Sequence, residues 1–249
     1  AISTYWFGFY SGFAGQQFYN DPPLQLYNIV YTALPVMFIA IWDQMLSRQV
    51  LANNPIAYRE AKGKAFTSLK FSGWIFRSFF HGIILYFIAH YSLDTNVASN
   101  DGKTHGLWYM SSIVYYAVVL LPSSFIFLEL HTINALTIFA LWSSFASVYL
   151  FTWLMNQFIW INFDLYHLIN VLYGDMSFWL IIFISTLLPI LIELCYRALY
   201  NELRPSFNQI IREKQLILAQ YDEKAIENIH ISKEDEKQWI NRKLSSKRL

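Results

Sequence analysis

Charged residues are scarce in this sequence. Only 14% of its 249 residues are Asp, Glu, Lys or Arg, whereas 55% are hydrophobic. Because a soluble domain carries about 25% charged residues, this composition excludes an ordinary soluble domain and indicates a membrane protein. The net charge of +1 is small, and the charges are segregated along the chain, so nothing predicts a basic face for nucleic acid.

Cysteine is almost absent as well. The single Cys195 lies in an apolar run, which excludes an internal disulfide and a cysteine metal cluster. The sequence contains no Walker loop, dinucleotide fingerprint, zinc motif or nucleophile elbow. No acidic pair lies in the middle of an apolar run, as a proton-coupled carrier would often have. These absences favour a chain that binds or conducts something over one that catalyses a reaction.

The chain begins at Ala1, inside an apolar and aromatic run that has no basic residue of the kind a signal peptide needs. Residues 1–16 are also too short to cross a membrane, which takes about 20 residues. We therefore interpret Ala1 as an internal position of a longer polypeptide and residues 1–16 as the second half of a span. Gly8 and Gly12 form a small-xxx-small pair, which predicts close approach of a neighbouring helix.

The apolar runs predict an all-α, polytopic transmembrane bundle of one partial and five full spans. The predicted spans are residues 1–16, 24–42, 73–92, 107–128, 134–157 and 176–198. Residues 43–72 and the chain from Arg197 onward are rich in Lys and Arg, so both are predicted to be cytoplasmic. An even number of crossings must separate them, which places the aromatic segment 158–175 at the outer interface.

Polar residues interrupt the second span. Asn28, Thr32 and Pro35 are spaced i, i+4 and i+7, which predicts one shared helical face. Pro35 has no N–H, so the carbonyl near Tyr31 loses its helical donor, and such a carbonyl is tolerated in a membrane only where protein or water satisfies it. A polar, locally unwound face suits a transporter site near the midplane. The alternative is a kinked structural helix with hydrogen bonds to its neighbours.

Other charged residues have structural interpretations. Glu129 and His131 fall at the apex of a hairpin, where a solvated turn is favoured over a proton relay. Glu193 and Arg197 are spaced i, i+4 near the end of the last span, which predicts an interfacial pair within one helix. In the tail, residues 210–229 have the spacing of a surface helix, and the basic end at 237–249 would contact anionic lipid or remain solvated.

The second span and the segment before it also carry a recognisable pattern. They read GFYSGFAGQQFYN and then LQLYNIVYTALPVMFIAIWDQ, with an acidic residue closing the helix. This stretch resembles the fifth and sixth membrane helices of P4-type ATPases, the phospholipid flippases. Looser similarities follow in Trp74 and His81, in VYYAVV at 114–119, in WSSF at 142–145, and in Phe178, Trp179 and Pro189. The resemblance covers about residues 5–205.

The resemblance implies that residues 1–200 are helices five to ten of the family's membrane domain and that residues 201–249 are a cytoplasmic tail. The full-length protein would be an integral protein of the plasma membrane or an endomembrane. It would move phospholipid from the outer or luminal leaflet to the cytoplasmic leaflet, using ATP and Mg²⁺ in a headpiece outside this chain. Implied partners are the phospholipid, the membrane, the N-terminal remainder of the ATPase and the family's glycosylated accessory β-subunit, with no nucleic acid.

The resemblance also implies a substrate site, without catalytic or metal-binding residues in this chain. The family's asparagine at the lipid headgroup corresponds to Asn28, with Thr32 one turn on and Pro35 supplying unwound backbone. Ser11 and Gln16 would line the outer opening. An amide and a hydroxyl suit a zwitterionic or anionic headgroup because neither needs a counter-ion. The alternative function is a flippase-like structural or scaffold module without transport. A DKTGT phosphorylation motif upstream of this chain would favour the pump over this alternative.

Overall fold

The described part of the chain is helical and contains no strand. The computed structural model describes residues 2–54, 67–93, 105–158, 165–203, 208–209, 211–213 and 215–216. Its α-helices are α1 (Ile2–Tyr10), α2 (Asp21–Leu26), α3 (Ala33–Trp42), α4 (Arg48–Asn53), α5 (Ser68–Leu93), α6 (Leu107–Glu129), α7 (Ala135–Gln157), α8 (Leu168–Gly174) and α9 (Met176–Leu203). A π-helical turn, Tyr27–Tyr31, joins α2 to α3.

Five helical segments are long and apolar enough to cross a membrane, which confirms the predicted all-α transmembrane class. They are Asp21–Trp42, Ser68–Leu93, Leu107–Glu129, Ala135–Gln157 and Met176–Asn201. The first of them comprises α2, the π turn and α3, and we call it the interrupted span. Residues 168–174 of the segment predicted to lie at an interface form the short helix α8.

Helix α1 ends at Tyr10 and does not continue to residue 16 as predicted. Gly12 and Gly15 have φ angles of 62° and 76°, a left-handed backbone conformation that glycine adopts without steric cost. Gly12 therefore lies in the turn that follows the helix. The predicted helix–helix contact through Gly8 and Gly12 is wrong, because a helical i, i+4 pair requires the helix to continue through both residues.

A different glycine allows two helices to approach closely. A Cβ atom added at Gly82 of α5 would lie 3.0 Å from the Cβ of Ile2 in α1. At Gly8, by contrast, the nearest atoms belong to the ring of Phe13 in the same segment, at 3.1 Å. The close contact of α1 thus runs through Gly82, which forms a small-xxx-small pair with Ser78 that the sequence analysis did not consider.

Local sequence determines where two of the spans begin. Pro22 and Pro23 follow Asp21 in the first turn of α2, where a missing N–H leaves no intrahelical bond unmade. Helix α7 begins with a capping box, in which the side chains of Asn134 and Thr137 each bond the backbone of the other residue. The Asn134 N–H donates to the Thr137 hydroxyl at 3.2 Å. The prolines remove, and the capping box satisfies, N–H groups that a helix start would leave without a partner.

The chain forms two compact units. The first comprises Ala1–Asp43 and Gly73–Leu194, and the second comprises Gln44–Ser72 and Cys195–Leu249. In the second unit, Ser47 caps α4 by accepting the N–H of Val50 at 3.4 Å. The surface helix predicted at 210–229 lies mostly outside the described residues, and the basic end at 237–249 lies wholly outside them.

Tyrosine hydroxyls join three helices in the core of the first unit. Tyr116 of α6 is fully buried, and its hydroxyl bonds the Thr152 hydroxyl of α7. The Tyr173 hydroxyl of α8 lies 2.7 Å from that of Tyr116. At the adjoining end of α6, Tyr109 donates to the carboxylate of Asp175 at 2.5 Å. The start of α6 and the α8 segment therefore lie at the same end of this unit.

A buried ion pair connects α5 to α9. The guanidinium of Arg77 lies 2.6 Å from the carboxylate of Glu193, and Glu193 is only 2% exposed. The sequence predicted a pair within one helix, between Glu193 and Arg197, and did not predict this contact with α5. The spacing of charges along one helix cannot show which charge of a neighbouring helix lies opposite.

We expect Arg77→Ala to lower the free energy of unfolding by about 2 kcal/mol, because it leaves a buried carboxylate without its counter-ion. This value is below that of a fully buried pair, since the Arg77 side chain is 34% exposed. Adding Glu193→Gln should restore most of the loss, because it removes the uncompensated charge. Thermal unfolding in detergent measures both effects. Arg48→Ala, at an exposed position of α4, is the matched control, and equal destabilisation by Arg48→Ala and Arg77→Ala would contradict the prediction.

Candidate functional site

The interrupted span departs from regular α-helix at Tyr27–Tyr31. The Thr32 N–H donates to the Tyr27 carbonyl, five residues back, at 3.2 Å, and the Thr32 hydroxyl donates to the same carbonyl at 3.1 Å. Such π turns are rare and occur frequently at functional sites. The local unwinding expected near Pro35 therefore exists, as a π turn that ends four residues before the proline.

The five residues predicted to form the substrate site lie in different environments. Asn28, in the π turn, is exposed, Thr32 is half-buried and Pro35 is buried. The prediction that Asn28, Thr32 and Pro35 share one face is therefore wrong. It rested on the i, i+4, i+7 rule, which assumes 3.6 residues per turn, and the π turn changes that period. Ser11 is half-buried and donates to the carbonyl of Gly8 at 3.3 Å. Gln16 is exposed in the loop that leads to α2.

Hydroxyl groups of α6 bond two backbone carbonyls of the chain around the start of α2. Ser111 donates to the carbonyl of Phe18, and Tyr115 donates to that of Pro23 at 2.6 Å. In a regular helix the N–H of Tyr27 would reach the Pro23 carbonyl, but here it donates to Leu24. The tyrosine hydroxyl thus takes the place of a missing backbone donor.

A third hydroxyl, from α7, bonds the carbonyl that Pro35 deprives of its donor. Ser144 is fully buried, and its hydroxyl donates to the carbonyl of Tyr31. The sequence predicted that this carbonyl would need a partner from protein or water, and the structure confirms that protein provides one. The sequence could not identify this donor, because α7 by itself contains three candidate serines, Ser143, Ser144 and Ser147.

The interrupted span is therefore held from one side through its backbone. Tyr31 and Pro35 are buried on that side. Asn28 is exposed, as are Ile29 (74%) and Val36 (54%). The neighbouring helices bond backbone carbonyls of the span and not its exposed side chains. Polar groups on those exposed side chains are therefore available to another molecule or to another part of a longer protein.

The far end of the span is held by a carboxylate. Asp43 Oδ1 accepts the backbone N–H groups of His131 and Thr132 at 2.8 and 2.9 Å, and Asp43 Oδ2 lies 3.0 Å from Nδ1 of His131. The hairpin between α6 and α7 was predicted to be a solvated turn, but it docks against the end of α3. No sequence pattern predicts this contact, because Asp43 and His131 are far apart in the chain.

Two opposing effects act on the Asp43 carboxyl. Burial raises its pKa, but the hydrogen bonds from Thr132 and His131 favour the charged form more strongly, so the net shift of the pKa is downward. The charged carboxylate is therefore the form that holds the hairpin against α3.

A cavity of about 20 Å³ lies between the 19–23 segment and helices α6, α7 and α8. Residues with hydroxyl or amide groups that line it are Tyr19, Asn20, Ser111, Ser112, Tyr115, Tyr116 and Thr152. This volume suits a single water molecule and is far too small for a lipid headgroup. The exposed side of the interrupted span is therefore the stronger candidate for a substrate site.

The described residues do not form a metal centre, since no three His, Cys, Asp or Glu side chains among them are grouped suitably.

The sequence matches a known family over most of its length. The family model described as phospholipid-translocating P-type ATPase C-terminal matches residues 1–206. Phospholipid-transporting ATPase IG of Homo sapiens is 25% identical over 209 residues, which are 82% of this chain and 18% of that protein. Phospholipid-transporting ATPase 6 of Arabidopsis thaliana is 24% identical over 248 residues, which are 97% of this chain and 19% of that protein.

A third relative is more similar over a shorter region. Phospholipid-transporting ATPase C887.12 of Schizosaccharomyces pombe is 28% identical over 185 residues, 72% of this chain and 14% of that protein. This chain thus spans less than a fifth of the length of these curated relatives.

We expect Asp43→Ala to lower the free energy of unfolding by about 2 kcal/mol, because the two N–H groups lose a charged acceptor. Asp43→Asn should cost less, since its amide oxygen can still accept both. Thermal unfolding in detergent of the two variants measures the difference. An equal loss in both would mean that the charge, and not the pair of hydrogen bonds, makes the contribution.

The contribution of Asp43 should also depend on pH. Because its folded pKa lies below the ordinary value of 3.8, the contribution is fully present above about pH 5 and is lost as the pH falls through the folded pKa. The stability difference between wild type and Asp43→Ala should therefore stay constant from pH 7 to about pH 5 and shrink below pH 4. A difference that already shrinks near neutral pH would exclude Asp43 as the titrating group.

Proposed function

This chain belongs to the family of C-terminal regions of phospholipid-translocating P-type ATPases, and we propose that its interrupted span forms one wall of a path for phospholipid. In this proposal the full-length protein moves the lipid from the outer or luminal leaflet to the cytoplasmic leaflet. The single observation that carries the proposal is the exposed amide of Asn28, which lies on a π turn within an otherwise apolar span. A polar side chain at membrane depth is expensive unless it serves a pathway or the interior of a bundle.

The chemistry of the span suits a lipid headgroup. An amide can donate to a phosphate oxygen and accept from an ammonium or hydroxyl group, and it needs no counter-ion to be buried. From Leu24 to Trp42 the span contains no acidic residue, whereas cation sites are built from oxygen ligands that usually include carboxylates. Both features favour a zwitterionic or anionic headgroup over a metal cation as the transported species.

The proposed orientation places the Asp43 end of the span on the cytoplasmic side. The basic residues of 43–72 and of the tail support this assignment, because cytoplasmic segments are the basic ones. Asp43 contacts the α6–α7 hairpin, whereas Asp175 contacts the start of α6, which agrees with two opposite ends of a bundle. Asn28 would then lie about 10 Å along the helix from Asp21, at 1.5 Å per residue, within reach of a headgroup from the outer leaflet.

The energy source lies outside this chain in our proposal. ATP and Mg²⁺ would act in a headpiece contributed by the N-terminal remainder of the same polypeptide. The accessory β-subunit remains a proposed partner by analogy with the family. The residues of this chain would bind and guide the lipid and would take no part in phosphoryl transfer.

A scaffold without transport is the second candidate function. Two of the polar side chains proposed for the path bond their own backbone, Thr32 to Tyr27 and Ser11 to Gly8. Those bonds stabilise the local backbone, and they use the hydroxyl hydrogens that would otherwise be available to a substrate. Asn28 therefore separates the two candidates, because transport predicts that its exposed amide contacts a lipid headgroup, whereas a scaffold predicts no effect of lipid on it.

We expect Asn28→Ala, in the full-length protein, to reduce phospholipid-stimulated ATP hydrolysis about tenfold at subsaturating lipid. The reason is the loss of one or two hydrogen bonds to the headgroup, each of about 1 kcal/mol. The measurement is ATP hydrolysis in detergent micelles against phospholipid concentration, with thermal unfolding as the test of folding.

Gln25→Ala is the matched control, because Gln25 is also an exposed amide of the interrupted span. It should leave lipid stimulation within about twofold of wild type, as expected of a side chain outside the site. If Asn28→Ala behaves like Gln25→Ala, the assignment of Asn28 to the headgroup is wrong and the scaffold function is favoured.

A further inference from the structure

We propose that Ser144 is a positioning residue for the lipid path. Its hydroxyl donates to the carbonyl of Tyr31 and thereby keeps the π turn in the register that presents Asn28. This inference rests on the proposed function, since it concerns how the same span is held ready for a headgroup. Ser144 itself is buried and does not contact the exposed side of the span.

Ser144 is distinguished from its neighbours by the direction of its hydrogen bond. Ser143 donates to Ala140 at 2.8 Å, and Ser147 donates to Ser144 at 2.8 Å, so both of these hydroxyls bond the backbone of α7 itself. Ser144 alone among these three bonds the interrupted span. The WSSF motif therefore contains one serine that acts between helices and one that acts within its own helix.

A second hydroxyl supports Ser144 from α6. Ser123 is buried, and its oxygen lies 3.3 Å from that of Ser144. The single hydrogen of the Ser144 hydroxyl is directed to the Tyr31 carbonyl, so Ser123 is the donor and Ser144 the acceptor in this contact. The two serines form a chain that runs from α6 through α7 to the interrupted span. Such a chain fixes the rotamer of Ser144, because its oxygen and its hydrogen both have partners.

The need for Ser144 originates in Pro35. A residue with an N–H at position 35 would donate to the Tyr31 carbonyl in a regular helix, but proline cannot. Without another donor, this carbonyl would be unsatisfied in the interior of the bundle, a state that membrane proteins avoid. Ser144 and Pro35 are therefore coupled, because the Tyr31 carbonyl needs the Ser144 hydroxyl only when residue 35 has no N–H.

The geometry of the π turn transmits the effect to Asn28. Tyr31 ends the turn that begins at Tyr27, and Asn28 lies between them. If the Tyr31 carbonyl loses the Ser144 hydroxyl, the π turn loses the contact that fixes its backbone and is free to rewind to α-helix. One residue of rewinding rotates the preceding side chains by about 100° around the helix axis. Asn28 would then leave the exposed side of the span.

The test is a double-mutant cycle of Ser144→Ala and Pro35→Ala in the full-length protein. Ser144→Ala alone should raise the apparent KM for the stimulating phospholipid about tenfold and leave kcat within about twofold. In the Pro35→Ala background, where an N–H is again available to Tyr31, adding Ser144→Ala should change KM less than twofold. Ser144→Thr should restore lipid affinity, because it keeps the hydroxyl. Ser143→Ala is the matched control and should leave KM unchanged.

Two results would overturn the inference. An equal rise in KM from Ser144→Ala in both backgrounds would show a packing effect unrelated to the Tyr31 carbonyl. A KM for Ser144→Ala equal to that of Ser143→Ala would show that the hydroxyl has no positioning role.

Failure of the proposed function gives a different result. If wild-type protein with an intact headpiece shows no phospholipid-stimulated hydrolysis, the lipid path is overturned, and with it the role of Ser144 in lipid binding. The same cycle measured by thermal unfolding then decides whether Ser144 and Pro35 are coupled at all. Coupling predicts a lower melting temperature for Ser144→Ala only when Pro35 is present.

Discussion

Backbone hydrogen bonding in the absence of water is the constraint on which this structure depends. A membrane interior offers no solvent to an unpaired N–H or carbonyl, so each departure from regular helix requires a donor or acceptor from the protein. The interrupted span departs from regular helix at its start, at the π turn and at Pro35. Hydroxyl groups on two neighbouring helices bond the carbonyls that these departures expose, with Tyr115 at Pro23 and Ser144 at Tyr31.

Holding a helix by its carbonyls has a consequence for function. These contacts are made to the main chain, so they do not depend on which side chains lie on the opposite face. The same hydrogen bonds from neighbouring helices can therefore hold spans that present different side chains to a substrate. The Asp43 carboxylate completes the support at the far end, where the interrupted span meets the α6–α7 hairpin. In the proposed function, α6 and α7 thus form the fixed wall, and the exposed face with Asn28 forms the variable one.

Features that the sequence did not predict depend either on where a helix ends or on contacts between segments distant in the chain. The Gly8 and Gly12 pair looked like a packing motif because spacing alone cannot show that the helix ends between them. Arg77 of another helix is a partner of Glu193 that the spacing of charges along one helix did not predict. His131 was expected in a solvated turn, since nothing near it in the sequence indicates Asp43.

Composition and apolar run length by themselves determined the class of this protein, because about 20 apolar residues in a helix have few stable locations other than a membrane. Proline chemistry alone determined that the carbonyl of Tyr31 would need a new donor. Only the tertiary structure decided that the donor is Ser144, that the unwinding takes the form of a π turn, and that Asn28 faces outward while Pro35 is buried. These features depend on which helix faces which, and helix rotation and register are set by packing between spans that no local pattern records.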